Sequence, residues 1–371
     1  MCIDREAQAL LIAGDVFDSA DSSLKAQLEF IEGLERLDAA GIQSFVCHGN
    51  HDPLDGWTAR LTFPDSCHRF GPEIGSVSLG DDGRATVYGI SYPRRNVTSD
   101  LTPHFKRQAA DAFAIGLLHA NVGTTGHDDY APCTLNGLTQ TGIDYWALGH
   151  VHTHNVLNPA NPAVVYPGNT QGRHQNETGP RGVCVVDVDG SNRTRIAFVS
   201  VCAVRWETAN LSIEGLESEG DLIERLVGTA QPLLAESDNC GVVCRITLSG
   251  RGPLHATLQR DGTLDTFREL INRALSHQTP FLWCERVIDR TGPEFDREEC
   301  RQSNDFLGDV LKLIDGLHAD PDTLAEIVNA ATAPLSSHSK ARDYLEKSDL
   351  NHARVLANAE NRILNHLLRD Q

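Results

Sequence analysis

A chain of 371 residues with 40% hydrophobic and 22% charged residues and a formal net charge of −19 has the make-up of a globular protein with two or three domains. It holds no run of about eighteen apolar residues, which excludes a helical membrane span. Its acidity argues against a broad basic surface for nucleic acid, because phosphate binding rests on Lys and Arg. A local site where metal ions or a partner subunit bring the positive charge is compatible with it.

The opening Met1-Cys2-Ile3-Asp4-Arg5-Glu6 lacks the basic-then-apolar pattern of a signal peptide. Ten cysteines are scattered with no CxxC pair, most in apolar runs such as Gly182-Val183-Cys184-Val185-Val186. They read as buried free thiols of a reducing cytoplasm. Cys240 and Cys244 share one strand face by their even spacing, and core packing accounts for them better than a zinc site.

Leu10 to Ala13 is an apolar run that stops at Gly14-Asp15. A helix is predicted from Ser23 to Ala40, with Leu24, Leu28, Ile31, Leu34 and Leu37 on one side. Ile42 to Cys47 is a second strand, closed by His48-Gly49-Asn50-His51-Asp52. Ala114 to Leu118 is a third, closed by His119, and Trp146 to Leu148 a fourth, closed by Gly149-His150. Val164 to Tyr166, Val183 to Val188 and Arg195 to Val201 read as later strands. Each of the first four strands ends in a ligand-type residue, and α/β proteins collect their sites at such strand ends.

The texture changes near residue 204. Strand, helix, strand, helix and strand signals follow, with helices at Glu219 to Leu234 and Leu264 to Ser276 and strands at Gly241 to Leu248 and Pro280 to Ile288. Trp206 and Trp283 are expected to be packing residues there. Beyond about 297 the pattern is helical, with Leu307, Val310, Leu311 and Ile314 in register and a last amphipathic stretch from Leu350 to Leu368. The expected division is 1–203, 204–296 and 297–371.

Four pieces carry chemistry: Gly14-Asp15-Val16-Phe17-Asp18, Gly49-Asn50-His51-Asp52, Leu117-Leu118-His119-Ala120 and Gly149-His150-Val151-His152. A pair of divalent ions needs a bridging carboxylate with imidazole or carbonyl ligands around it. Asp15 has two oxygens with which to bridge, Asn50 offers an amide oxygen, and His119, His150 and His152 offer imidazole nitrogens. Taken singly, Gly-Asp is a turn and a lone His a surface residue. Taken together, in this order and each closing an apolar strand, they point to a metal site.

The order GD, GNHD, H, GHxH resembles the calcineurin-like metallophosphoesterase superfamily. The stretches "LLIAGDVFDSA", "GIQSFVCHGNHD", "LLHANVG", "YWALGHVH" and "YPGNTQGRHQNETGPRGVCVVDVDG" are similar to the SbcD-type nuclease branch, in particular its YhaO-like members. The resemblance covers residues 7 to about 203. It implies an α/β fold: a metallophosphoesterase β-sandwich flanked by helices, with a small α+β capping domain and a helical C-terminal tail. It also implies two divalent metal ions, manganese by analogy, with Asp15 bridging them. Asn50, His119 and His150 would complete the second site, and His152 would bind the first ion. His51 would face the scissile phosphate as acid or transition-state stabiliser, with Asp52 orienting it. Arg173 and His174 follow the family-like Tyr166-Pro167-Gly168-Asn169 turn and are candidates to meet a phosphate backbone. Arg94 and Arg95 read as solvated surface.

The activity so implied is hydrolysis of phosphodiester bonds by a metal-activated water. The substrate would be DNA, and the partner a coiled-coil ATPase of the SbcC type docked on the C-terminal helices; a homodimer is left open. A small-molecule phosphodiesterase and a catalytically impaired scaffold for the ATPase are the competing readings. The family's first strand and its Asp-x-His motif are missing here, which leaves the first metal only Asp15 and His152. An upstream start, a fragment and lost catalysis compete as explanations. The first is preferred, because the remaining ligands and His51 persist together.

Overall fold

The computed structural model describes residues 1–18, 23–56, 62–80, 83–123, 130–295, 297–337 and 351–367. They form two compact units, Met1–Arg173 with Gly179–Ala203, and His174–Thr178 with Val204–Gln371.

In the first unit, β1 (Ala9–Ala13), β2 (Gln43–Cys47) and β3 (Cys67–Arg69) make a parallel three-stranded sheet. β4 (Gly75–Leu79), β5 (Ala85–Gly89), β6 (Ala114–His119), β7 (Tyr145–Gly149), β8 (Asn155–Asn158) and β9 (Ala163–Tyr166) make a second sheet in the order β4-β5-β6-β7-β9-β8. Its central strands β5, β6, β7 and β9 run parallel, and β4 and β8 close the edges antiparallel. β10 (Gly182–Val188) and β11 (Thr194–Ser200) form an antiparallel pair.

The central strands are buried on both faces, which is why they read as unbroken apolar runs. Side chains alternate with period two. Ile115 and Leu117 of β6, Tyr145 and Ala147 of β7 and Val165 of β9 face Phe45 and Cys47 of β2, Leu11 and Ala13 of β1, and Cys184, Val186 and Ile196 of the β10–β11 pair. This is the core of a sandwich. Their neighbours Leu118, Trp146, Leu148, Val164 and Tyr166 face the other way, onto Ile90, Tyr92, Leu101, Phe105 and Leu138. Trp146 is fully buried and lies over Gly116, its register partner on β6, where a Cβ would stand 2.5 Å from the ring.

Helix α1 (Leu24–Ala39) starts on Ser23, whose side chain accepts from the Ala26 amide at 3.2 Å. Its buried face corrects the expected stripe. Ile31 and Leu34 are buried with Gln27, whereas Leu24 and Leu28 are about half-exposed. The buried side therefore runs through Gln27, Ile31 and Leu34, and the side that carries Leu24 and Leu28 is solvated. A short α2 (Leu135–Thr139) covers Trp146, whose Nε1 donates to the Leu138 carbonyl at 3.2 Å.

In the second unit, β12 (Val204–Ser212), β13 (Gly241–Ser249) and β14 (Leu282–Asp289) are parallel in that order. They alternate in sequence with α3 (Glu219–Ala235), α4 (His255–Leu258) and α5 (Thr263–Leu275). Leu222, Leu226 and Ala230 of α3 and Phe267, Ile271 and Leu275 of α5 cover one sheet face, on Val242, Cys244, Ile246, Leu248, Leu282 and Cys284. Cys240 and Cys244 are buried, as expected, and none of the ten cysteines is in a disulfide among the described residues. Trp283 departs from the expectation of a packing residue: period two turns it away from Leu282 and Cys284, and it is 48% exposed.

Helices α6 (Arg297–Gln302), α7 (Phe306–Ala319), α8 (Pro321–Thr332) and α9 (His352–Leu367) follow. Leu307, Leu311 and Ile314 of α7 pack with Leu324 and Val328 of α8 and Leu356 and Leu364 of α9. Much of the predicted apolar stripe therefore serves this protein's own core. Phe306, Leu313, Ile327 and Ile363 are left exposed, and Leu350 and Leu368 of the predicted stretch lie outside the described residues. Among the described residues no helix is long and apolar enough to cross a membrane.

Asp111 ties the sandwich edge together. It accepts from Thr86 Oγ1 at 2.6 Å, from the Tyr88 hydroxyl and from the Gln108 amide at 3.1 Å. Burial raises its carboxyl pKa, but these hydrogen bonds and the charge of Arg107 outweigh it, so the folded value lies below the ordinary range. Such a group stabilises fully above its unfolded pKa, near 3.9, and the contribution is lost as pH falls through the folded value. Asp111→Asn is expected to flatten the acid limb of the thermal midpoint between about pH 2 and pH 5. A limb as steep as the wild type's would refute this.

Candidate metal centre

The parallel strands β1, β2, β6 and β7 each hand a polar loop to the same edge of the sandwich. The four motif pieces meet there around the ring of His119, which is fully buried. Its Nδ1 lies 2.9 Å from the Ala13 carbonyl. A carbonyl only accepts, so Nδ1 carries a proton, and the neutral ring presents its lone pair at Nε2. That Nε2 stands 2.9 Å from Asn50 Oδ1 and 3.3 Å from Asp15 Oδ2. As oriented, three electron-rich atoms converge, and a positive charge among them is what such a set accommodates. The His150 ring lies edge-on to His119 at 5.3 Å between centroids.

Close approach of these loops depends on glycine. A Cβ on Gly149 would sit 1.7 Å from the Ala13 carbonyl oxygen, and one on Gly49 would sit 2.4 Å from Asp15 Oδ1 and 2.7 Å from the His119 ring. Asp15 and His150 themselves hold left-handed backbone, with φ of 54° and 100°. Non-glycine residues pay for that conformation in strain, and such residues gather at functional sites.

Asp52 has a different job from the one expected. Its Oδ1 accepts from the amides of Asp15 (3.0 Å) and Gly49 (2.7 Å), and its Oδ2 from the amide of Val16 (2.9 Å). The carboxylate is thus spent on joining the Asp15 loop to the Asn50 loop and does not hold His51. Burial pushes its pKa up, and the nearby His48 ring with the hydrogen bonds from the amides of Gly49 and Val16 brings it below the ordinary range. His51 is oriented from elsewhere: its Nδ1 lies 2.7 Å from the Asp18 carbonyl, and its amide donates to Asp15 Oδ1 at 2.9 Å.

Arg173 is engaged within the protein. Its guanidinium pairs two-pronged with the Asp18 carboxylate, Nη2 to Oδ2 at 2.8 Å, so in this state it is engaged by a protein carboxylate. The same guanidinium holds the Asp18 carboxyl below its ordinary range, with the charges of His51 and His152 adding to it. His152 is exposed, and its carbonyl accepts from Arg181 Nη1 at 2.6 Å and the Asn169 amide at 3.1 Å. His174 belongs to the second unit, where its Nδ1 accepts from the Asn176 amide at 3.2 Å and its Nε2 lies 3.8 Å from Glu177.

Four residues of this neighbourhood were given no role in the sequence. Tyr92 is fully buried, its ring 5.5 Å from His119 and its hydroxyl without a hydrogen-bond partner among the described residues. Tyr130 lies 5.5 Å from His150. Asp18 and Arg181 are the others. The alternation Thr86-Val87-Tyr88 ahead of Tyr92 was the available signal, since it marks β5.

Among the described residues no group of three or more His, Cys, Asp and Glu side chains surrounds one point at metal-binding distance. The converging set includes an amide, Asn50. Its carboxylate, amide oxygen and imidazoles suit one divalent ion. Of the donors expected for the other, Asp15 and His152 are present.

Comparison with known proteins bears on what this edge is. The calcineurin-like phosphoesterase family matches residues 2–154, and the family described as metallophosphoesterase YhaO, middle domain, matches residues 206–292. The uncharacterized metallophosphoesterase YhaO of Bacillus subtilis is 36% identical over 289 residues, covering 77% of this chain and 70% of that protein. The chain belongs to the YhaO group of calcineurin-like metallophosphoesterases. Two further relatives of this metallophosphoesterase are more distant. The SbcD component of the nuclease SbcCD of Bacillus subtilis is 26% identical over 56% of this chain and 64% of its own length. The DNA double-strand break repair protein Mre11 of Haloferax volcanii is 28% identical over 54% of this chain and 46% of its own length. Calcineurin-like phosphoesterases use divalent metal ions, in keeping with the donor set at His119.

Asp52→Ala would leave the amides of Asp15, Val16 and Gly49 without their acceptor. A stability loss on the order of 3 kcal/mol is expected, since each unpaired buried donor costs about 1–3 kcal/mol. Urea denaturation measures it, and a loss under about 1 kcal/mol would show that the clamp carries little.

Proposed function

We propose that this metallophosphoesterase hydrolyses phosphodiester bonds in DNA, as the nuclease subunit of a repair complex, with Mn²⁺ as its metal. The observation that supports this reading is the convergence of Asp15 Oδ2 and Asn50 Oδ1 on His119 Nε2, at 3.3 and 2.9 Å. The DNA substrate is inferred from the names of the SbcCD nuclease and the Mre11 proteins among its relatives. A coiled-coil ATPase is the proposed partner, with the exposed Phe306 and Leu313 on α7 as its contact, and the cytoplasm is the proposed compartment.

In this reading Asp15, Asn50, His119 and His150 hold one ion, and Asp15 with His152 contribute to a second. Bound divalent ions supply Lewis-acid charge for the phosphoryl oxygens and lower the pKa of an attacking water. The protein's part is orientation. His51 Nδ1 donates to the Asp18 carbonyl at 2.7 Å, which leaves Nε2 to face a substrate oxygen; there the imidazolium form would serve as general acid or hydrogen-bond donor. Asp18 is steadied by Arg173. Arg173 and His174 are the proposed phosphate contacts; for Arg173 that role requires exchanging Asp18 for a substrate phosphate.

A second reading, a phosphodiesterase for small substrates, is favoured by the net charge of −19, which opposes the approach of polyanionic DNA. Single-stranded and duplex DNA assayed beside bis(p-nitrophenyl) phosphate separate the two, and cleavage of the small ester alone selects the second. His51→Ala is expected to keep Mn²⁺ binding and lose turnover by about 10²-fold or more. Unchanged turnover would remove His51 from the mechanism. Calorimetric titration of this polypeptide with Mn²⁺ is expected to show one tight site, and two equally tight sites would contradict the ligand assignment.

A further inference from the structure

His48 precedes the Gly49-Asn50-His51-Asp52 loop and is 7% exposed. Its two ring nitrogens have partners of opposite kind. Nδ1 lies 2.9 Å from the backbone carbonyl of Asp52, which only accepts, so Nδ1 carries the proton. Nε2 lies 3.4 Å from Nη2 of Arg69, which only donates, so Nε2 carries the lone pair. The neighbours thereby assign one neutral tautomer.

The backbone of His48 is held as firmly. Its amide donates to Ser91 Oγ at 3.0 Å, the Ser91 hydroxyl donates to the Phe70 carbonyl at 2.6 Å, and its carbonyl accepts from the Tyr92 amide at 3.0 Å. Arg69 sits on the short strand β3, with its guanidinium 4.3 Å above the Phe63 ring. Phe63 in turn meets Phe30 of α1, and Phe30 meets Phe17, beside Val16 in the Asp15 loop. The two ends of this chain of contacts close on the buried carboxylate of Asp52. From one side it receives the amides of Asp15, Val16 and Gly49. On the other it has His48 at 3.7 Å, and Arg69 is a cation within electrostatic reach.

We propose that Arg69 and His48 form a positioning relay behind the ligand cluster. Arg69 orients His48, His48 fixes the Asp52 backbone, and the Asp52 carboxylate sets the spacing between the Asp15 and Asn50 loops. Neither relay residue touches the cluster, and both act through Asp52. Hydrogen-bonding groups behind metal ligands commonly tune affinity in this way. The proposal rests on the metal-site reading and adds to it the residues that hold the ligand loops in register.

The test compares the wild-type chain with Arg69→Met, Arg69→Lys and His48→Asn. Mn²⁺ affinity is measured by calorimetry, and thermal midpoints and hydrogen exchange at the amides of Asp15, Val16 and Gly49 are measured on metal-free protein. Arg69→Met is expected to weaken Mn²⁺ binding by about tenfold or more and to lower protection of those amides. Arg69→Lys restores the charge and is expected to fall within about threefold of wild type. His48→Asn keeps a donor in place of Nδ1 and lacks the Nε2 acceptor. It is expected to behave as Arg69→Met does, and it decides the matter if Arg69→Met does not fold. A lowered thermal midpoint with Mn²⁺ affinity and amide protection within about twofold of wild type would assign the pair a merely structural role and overturn the relay. Absence of Mn²⁺ binding by the wild-type chain itself would overturn the metal reading and the relay with it.

Discussion

One hydrogen bond organises the working edge of this protein: the Nδ1 of His119 on the carbonyl of Ala13, at 2.9 Å. It joins the end of β6 to the end of β1 and fixes Nδ1 as a protonated ring nitrogen. It also turns Nε2 toward Asp15 and Asn50. A histidine whose other nitrogen is occupied by a carbonyl is oriented and made a better donor toward a cation. The bond forms only because the strands approach so nearly that a Cβ on Gly149 would collide with the same carbonyl oxygen.

The surrounding architecture can be understood as support for that contact. A sandwich with apolar residues on both faces of β6 and β7 holds the strand ends in place, because close-packed interiors resist small displacements. The loops beyond the strands carry the cost. Asp15 and His150 adopt left-handed backbone, and a buried carboxylate, Asp52, takes three backbone amides. An anion in that position is tolerable because every oxygen is hydrogen-bonded. The same contacts make the two loops move as one.

Much of this was legible in the residues. Four apolar runs, each stopped by a ligand-type residue, became β1, β2, β6 and β7 within a residue or so, because period-two burial on both faces leaves a continuous apolar signal. Short edge strands such as β3, β4 and β8 went unread, being partly exposed and short. The α1 stripe was read off-centre, because periodicity reports which residues share a side and is silent about which part of that side is covered. Trp283 was read as packing for a similar reason. Aromatic residues favour strands, yet only one face of the β12–β14 sheet is covered by α3 and α5.

The sequence by itself determined the types of donor atom, their order and their placement at strand ends, all of which follow from local pattern. Only the tertiary structure decided which atoms those donors meet. Asp52 reaches the amide of Asp15 across 37 positions, His119 reaches Ala13 across 106, and Arg173 reaches Asp18 across 155. Such contacts depend on directional bonds of about 3 Å between distant segments. No periodicity encodes them, so the roles of Asp52 and Arg173 came from folding the chain and not from reading it.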